Sequence, residues 1–338
     1  MAPILCVARR VNGGNFRSGG SVVSLIRVAF ARLLAAIPMM ILVSLIIFSI
    51  PYFIPGDPAF TIAGPNATID DIARIRSDLG LDRPIPGQYI VWLGNAVTFD
   101  LGDSYLVGRD VRTMIGERME VMLSLALLST LFAGLVGIPL GIIAASRIGG
   151  VRDRLAVGSA SMGVAVPNYW LAAILVTYLA VEWGWFPAAG YVRIGDDPGQ
   201  WLWHLILPTI ALGAISAAEI TRQTRGMMAQ TMNLDYIRTA RMKGLPPRTV
   251  IGKHALKNAS IPVITALGLQ LTVVLGGSVI VEQIFGMPGL GELAITAVLG
   301  RDIPVIQGIV LLTTVVAVST NLLVDIATSH LDPRVVIT

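Results

Sequence analysis

The sequence predicts an all-α polytopic membrane protein: six transmembrane helices, a folded extracytoplasmic segment between helices 1 and 2, and a cytoplasmic helix between helices 4 and 5. Three observations lead there. First, the 338 residues are 54% hydrophobic and only 14% charged, against about 25% charged in soluble proteins. A net charge of only +4 with so much apolar content also excludes a disordered chain. Second, six runs lack Asp, Glu, Lys and Arg for longer than the roughly 20 residues that cross ~30 Å of hydrocarbon. They are Leu33 to Gly56, Val121 to Ser146, Leu155 to Val181, Pro198 to Ala218, Asn258 to Val281 and Ile303 to Val324. Third, the basic residues alternate between the connections. Five arginines precede the first run (Arg9, Arg10, Arg17, Arg27, Arg32), three follow the second (Arg147, Arg152, Arg154), eight basic residues fall in 222–257, and Arg334 lies in the tail. Because cytoplasmic connections carry the excess of Lys and Arg, both termini are predicted cytoplasmic, as in a bacterial-type inner membrane.

Residues 1–26 read as a basic, Gly-rich cytoplasmic extension. Pro3 to Ala8 is too short for the apolar core of a signal peptide, and Leu5 before Cys6 does not suit a lipoprotein cleavage site. Cys6 is the only cysteine, and His204, His254 and His330 are scattered, so neither a disulfide nor a metal centre is indicated. Residues 27–56 hold helix 1. The extracytoplasmic segment, 57–118, is long for a connection and is expected to be folded. Thr68-Ile-Asp-Asp71 resembles a capping box, with Ile69, Ile72, Ile75 and Leu79 at helical spacing behind it. Tyr89, Trp92, Leu93 and Val97 repeat the pattern in Pro84 to Phe99, a stretch too short to span and read as interfacial or soluble. From Asp57 to Glu120 ten acids face six arginines, a net of −4.

The core, 119–328, carries helices 2–6, and 329–338 is a cytoplasmic tail. Every span contains or adjoins a proline (Pro38, Pro51, Pro139, Pro167, Pro208, Pro262, Pro304), and glycines four apart such as Gly137 and Gly141 favour close helix packing. Acids occur only near span ends, at Glu219, Glu282 and Asp325. A stand-alone ion-coupled carrier would bury ionisable groups mid-membrane, which disfavours a secondary carrier or channel. An intramembrane enzyme is disfavoured by the absence of G-x-S-x-G and H-E-x-x-H. Energy and substrate recognition are therefore expected from other subunits.

The loop 222–259 is the most informative stretch. It carries all three lysines, and residues 222–257 have a net charge of +7. Leu234 to Lys243 lacks a breaker, Gly244 supplies a stop, Pro247 suits the first turn of a new helix, and Pro262 is expected to open the next span. A basic loop lying on anionic lipid needs only charge. This one also carries Tyr236, Ile237, Ala240, Leu245, Val250, Ile251 and Leu256, which at a water-exposed position point to docking into a partner.

At these residues the chain resembles the permease subunits of ABC importers, of the dipeptide/oligopeptide/nickel permease B type, over about residues 27 to 335. The resemblance rests on Arg32-Leu-Leu, Pro55-Gly-Asp-Pro-Ala59, Asp100-Leu-Gly-Asp-Ser104, Asp235-Tyr-Ile-Arg-Thr-Ala-Arg-Met-Lys-Gly244, His254-Ala-Leu-Lys-Asn-Ala259, Glu282-Gln-Ile-Phe-Gly-Met-Pro-Gly-Leu-Gly291 and Leu331-Asp-Pro-Arg334, in that order. Each is weak alone, but their joint order and spacing are specific. In the superfamily's loop pattern Arg238-Thr239-Ala240 stands at the Glu-Ala-Ala positions in place of that triplet, Gly244 and Leu256 match, His254 replaces Ile and Lys257 replaces Pro. A further departure is Glu120-Val121, where that branch has a proline-containing turn.

The resemblance implies half of a transmembrane pathway for peptides or a similar small solute. The implied partners are a second homologous permease forming a heterodimer, two cytoplasmic ATPase subunits, an extracytoplasmic substrate-binding protein and membrane lipid, with no nucleic acid. ATP and Mg would be held by the ATPase subunits and no cofactor by this chain. The chain has no G-x-x-x-x-G-K-[ST] loop of its own, since Gly252-Lys253 would need Gly where Pro247 stands, so it is not itself an enzyme. Asp235, Tyr236, Arg238, Thr239, Ala240, Gly244, Leu245, Pro247, His254 and Leu256 are the implied ATPase-coupling residues, with the helix after Gly244 seated in an ATPase cleft.

Overall fold

The computed structural model describes residues 20–53, 58–64, 67–78 and 80–331. The expectations placed on residues 1–19, on Pro55-Gly-Asp, on Leu79 and on the tail from Asp332 lie outside them. The described chain is helical, with one isolated bridge between Asp103 and Asp110.

Helix α1 (Gly20–Phe53) holds the first charge-free run from Leu33 to Phe53. After α2 (Pro58–Ala63), the expected pair of short helices is present as α3 (Ile69–Asp78) and α4 (Ile85–Val97). The capping box closes as the sequence suggests: Thr68 Oγ1 accepts from the Asp71 amide at 3.2 Å, and Asp71 Oδ2 accepts from the Thr68 amide at 3.2 Å and hydroxyl at 2.6 Å. These bonds hold the Asp71 carboxyl below the usual carboxylate range. A depressed folded-state value means the cap stabilises α3 above the ordinary pKa of 3.8 and is lost as pH falls below it. Thr68→Ala is accordingly expected to speed amide exchange through residues 69–72 at neutral pH, with the gap to wild type closing as the carboxyl protonates.

Over Pro84 to Phe99 most residues are exposed, as a soluble or interfacial stretch has them, while Tyr89, Trp92 and Leu93 are half-buried and Ala96 is buried. Helix α4 lies on α1, with Tyr89 and Trp92 ring centroids 5.4 and 5.9 Å from Phe48 and the Tyr89 hydroxyl 2.8 Å from Ser44 Oγ. Trp92 Nε1 donates to Gln307 Oε1 at 3.1 Å, joining α4 to the last long helix.

Helix α5 (Val111–Ser146) begins ten residues before the second charge-free run, capped by Asp110, whose carboxylate accepts from Thr113 N. Next come α6 (Val151–Ala165) and α7 (Asn168–Leu175), the latter continuing as a π-helical turn, Val176–Glu182. The third run was expected to be one span. It is instead broken, with a 94° bend between Val151–Ala165 and Asn168–Glu182. Pro167 is the cause: the residue before a proline is driven out of the helical region, and Val166 sits at φ −89, ψ 117. Pro38, Pro51, Pro139 and Pro208 lie inside unbroken helices.

Helix α8 (Pro198–Thr231) is followed by α9 (Asp235–Met242) and α10 (Pro247–Thr249), which runs through the π turn Val250–Ala255 into α11 (Leu256–Gly277). Pro262 therefore does not open a span; it sits inside a continuous rod, Pro247–Gly277, of 31 residues. The chain ends with α12 (Val279–Ile284), α13 (Leu290–Gly300) and α14 (Ile303–Leu331). Among the described residues, four helices are long and apolar enough to cross a membrane, and the bent pair would be a fifth.

α5 and α8 form the centre of the bundle. Three apolar layers run along them: Val121, Leu125, Leu205 and Phe285 at one end, Ala133, Ala217, Ile220 and Val263 in the middle, and Ala145, Met228, Ile237 and Val250 at the other. Near the first layer Trp183, Trp185 and Trp203 are about half exposed, as indoles placed at a membrane–water boundary are.

Candidate functional site

The basic loop is built as a tight corner at the far end of α8. A short turn, Met232 to Leu234, leads into α9, whose inward face is Ile237 and Ala240. The helix stops in a Schellman motif. Gly244 N donates to Arg241 O at 3.0 Å and Leu245 N to Ala240 O at 3.4 Å, with Gly244 at φ +75. A side-chain-bearing residue adopts that conformation only with strain. The space beside Gly244 is open, with nothing within 4 Å of a built Cβ. The requirement is thus backbone conformation rather than room within this chain. Tyr236 closes the corner: its hydroxyl donates to His254 O at 3.2 Å and accepts from Asn258 Nδ2 at 2.7 Å, tying α9 to the start of α11.

The structure divides the ten sequence-selected residues by face. Asp235, Tyr236, Arg238, Thr239, Gly244 and Pro247 are exposed, Leu245, His254 and Leu256 are half-buried, and Ala240 is buried. The expectation that all the loop's apolar residues form an exposed docking face is corrected. Ile237, Ala240 and Val250 are buried against Ala145, Met228, Ala255 and Ala259 of the same chain. Burial in the chain's own core removes more apolar area than a fold leaving them in water would. What the corner offers outward is basic, with Arg238, Arg241, Lys243, Arg248 and Lys253 exposed beside Tyr236 and Met242. The Asp235–Arg238 pair, 3.6 Å apart and well exposed, adds little stability.

With α5, α8, the rod Pro247–Gly277 and α14 as long apolar helices and the basic corner between two of them, the comparisons with known proteins are specific. The profile of the family described as "Binding-protein-dependent transport system inner membrane component" matches residues 137–337, and that of its N-terminal companion matches 25–126. This chain belongs to that family. The permease is 43% identical over 304 residues to a protein of Brucella abortus named "Putative peptide transport system permease protein", covering 90% of this chain and 97% of the relative. It is 40% identical over 304 residues to the glutathione transport system permease protein GsiC of Escherichia coli K12, with the same coverage. Among solved structures it resembles the inward-facing MetNI methionine ABC transporter at a TM-score of 0.54, 16% identity, and coverage of 65% of this chain and 96% of that one. At that identity the likeness concerns the fold. Membership makes the permease a multi-pass membrane subunit that works with an ATPase and a substrate-binding partner, and it is not itself an enzyme.

Three polar clusters were not singled out as sites in the sequence. Arg225 of α8 grips Asp153 of α6 with two bonds, at 2.5 and 2.8 Å, and the same carboxylate accepts from Gly149 N at 2.8 Å. Its one sequence signal is an acid inside a basic turn. Glu282 is fully buried and accepts from Ser278 Oγ at 2.6 Å and Gly291 N at 2.7 Å, pinning α13 to α12. Glu120, the departure from the family pattern, accepts from Tyr191 at 3.1 Å and Ile194 N at 2.8 Å, so it anchors the loop before α8.

Tyr236→Phe is expected to lower stability by about 1 kcal/mol for each of the two hydrogen bonds lost, at most about 2 kcal/mol. Asn258→Ala should give roughly half that shift in melting temperature of the purified complex, and the double substitution no more than Tyr236→Phe alone.

Proposed function

We propose that this permease forms half of the transmembrane pathway of an ATP-driven importer for peptides or a similar small solute, in the inner membrane with both termini cytoplasmic. Its partners are a second homologous permease, two cytoplasmic ATPase subunits and an extracytoplasmic binding protein that selects the solute. Six spans complete the topology, with α1 and the bent α6–α7 pair joining the four long helices. The names of the Brucella and Escherichia coli relatives, peptide and glutathione permeases, support the solute class.

The observation that carries the reading is the corner at α9–Gly244–α10. A two-state coupling element must respond to one site and move another. The corner presents basic and polar side chains outward, while Ile237, Ala240 and Val250 lock it inward to the ends of α5 and α8. Its second limb is continuous with α11. An ATPase pair that closes on the corner would move α5 and α8 together through their close packing, carry α6 along through Arg225–Asp153, and tilt α11 as a rod. The exposed positions Asp235, Tyr236, Arg238, Thr239, Gly244 and Pro247 make the contact, whereas Ala240, Leu245, His254 and Leu256 shape the corner from behind.

Purification in mild detergent tests this. Co-elution of ATPase subunits and an ATPase rate raised by the solute-loaded binding protein are expected. An isolated chain that transports at full rate would overturn the reading in favour of a stand-alone carrier.

A further inference from the structure

An open cavity of about 1060 Å³ lies at the opposite end of the molecule from the basic corner, bordered by α4, the end of α1, the chain leading into α5 and the start of α14. It is as large as the upper range of small-molecule sites. One wall is a face of α4, with Gln88, Val91, Trp92 and Asn95 at helical spacing. The wall is pre-set: Trp92 is held by Gln307, and Gln88 accepts from the Tyr52 hydroxyl at 2.9 Å while donating to Leu81 O and Arg83 O at 3.1 and 2.8 Å.

The charges on the lining are ordered along this wall. Arg76 and Arg83 precede α4, and Asp100 and Asp103 follow it. Neither the Arg83 guanidinium nor the Asp103 carboxylate has a partner among the described residues, and Asp100 accepts only from Gly102 N at 3.3 Å. Their backbones are nevertheless fixed, Arg83 through Gln88, Asp100 through its amide to Asn95 O at 2.9 Å, and Asp103 through the bridge to Asp110. A helix of 13 residues separates cation from anions, about 20 Å at 1.5 Å per residue. An extended peptide covers that distance in about six residues.

We infer that this cavity is a binding site on the permease itself for a short extended peptide of about six residues. The peptide's carboxylate lies at Arg83, its amine at Asp100 and Asp103, and its uncharged middle along Trp92. A zwitterionic lipid headgroup fits poorly, because its opposite charges are only a few ångströms apart. With the Gln88 amide hydrogens and the Trp92 N–H already committed, the wall offers the peptide the Asn95 amide and the indole face rather than a pocket for a particular side chain, so the site reads length and free ends. It deepens the importer reading above and rests on it, since the cavity then faces the side from which the solute arrives.

The test uses the assembled importer in nanodiscs without its binding protein and radiolabelled hexaalanine in equilibrium dialysis. Saturable binding is expected, weakened at least tenfold for N-acetyl-hexaalanine amide, for dialanine, and for hexaalanine with Arg83→Gln or Asp103→Asn. Both positions are exposed, and unchanged melting temperatures establish that the variants fold. No saturable binding, or equal binding by wild type and both variants, overturns the inference. The importer reading is measured separately, by ATPase stimulation with the loaded binding protein. A complex that responds to that protein yet binds no hexaalanine sinks the cavity alone, whereas one that never responds sinks the importer reading.

Discussion

Gly141→Leu is expected to abolish folded permease. A Cβ at Gly141 would lie 2.5 Å from Thr224 Cβ and 2.8 Å from the Thr221 carbonyl oxygen, and one at Gly137 would lie 2.7 Å from the Ala217 carbonyl oxygen. Backbone and β-branched neighbours cannot step aside, so α5 and α8 would have to separate. Small residues four apart drive helix association in lipid through such close contact. Overpacking a core costs about 1–3 kcal/mol and sometimes more. Here it also opens the apolar layers that both helices share, so a loss above about 3 kcal/mol is expected. The readout is monodisperse yield and melting temperature in detergent. Gly134→Ala is the control: its Cβ would stand 3.6 Å from Leu267, an ordinary contact, and wild-type behaviour is expected. A stable Gly141→Leu protein would show that the α5–α8 approach is not as close as described.

Gly244→Val is expected to leave the membrane yield nearly intact while reducing both transport and substrate-stimulated ATPase activity at least tenfold. The left-handed conformation at φ +75 costs an L-residue about 1–2 kcal/mol, and a β-branched one more. That is too little to unfold the bundle. It is enough to undo the Schellman turn, releasing Leu245 from Ala240 and re-aiming α10 relative to α9. Gly244→Asn should retain most activity, because asparagine tolerates this region. Wild-type coupling in the Val protein would show that the corner's geometry is not what the ATPase engages.

How much of this was legible beforehand follows the range of the forces involved. The Thr68–Asp71 box, the stop at Gly244 and the start at Pro247 are set within four residues, and each stands where its residue types place it. Proline shows the limit of such rules. Pro167 breaks its run, while Pro139, Pro208 and Pro262 sit in continuous helices. In a membrane helix neighbouring helices can satisfy the backbone groups a proline frees, and no local pattern records which neighbour will be there.

The candidate site divides the same way. The residues of the basic corner were identifiable from charge and breakers, but not their facing. Ile237 and Val250 turn inward because Ala145, from the distant helix α5, and Met228, at the end of α8, pack against them. Nor was Asp153 matched in advance with Arg225, 72 residues on, or Glu120 with Tyr191, 71 residues on.

By itself, then, the sequence determined the helical membrane class, the apolar runs, the polarised distribution of charge and the family motifs. All of these are properties of composition and short spacing that the bilayer reads residue by residue. Only the tertiary structure decided which apolar residues stay outside, which run bends, and that Arg83 and Asp103 share one cavity. Those outcomes depend on packing between segments distant in the chain, where shape, not composition, selects the partner.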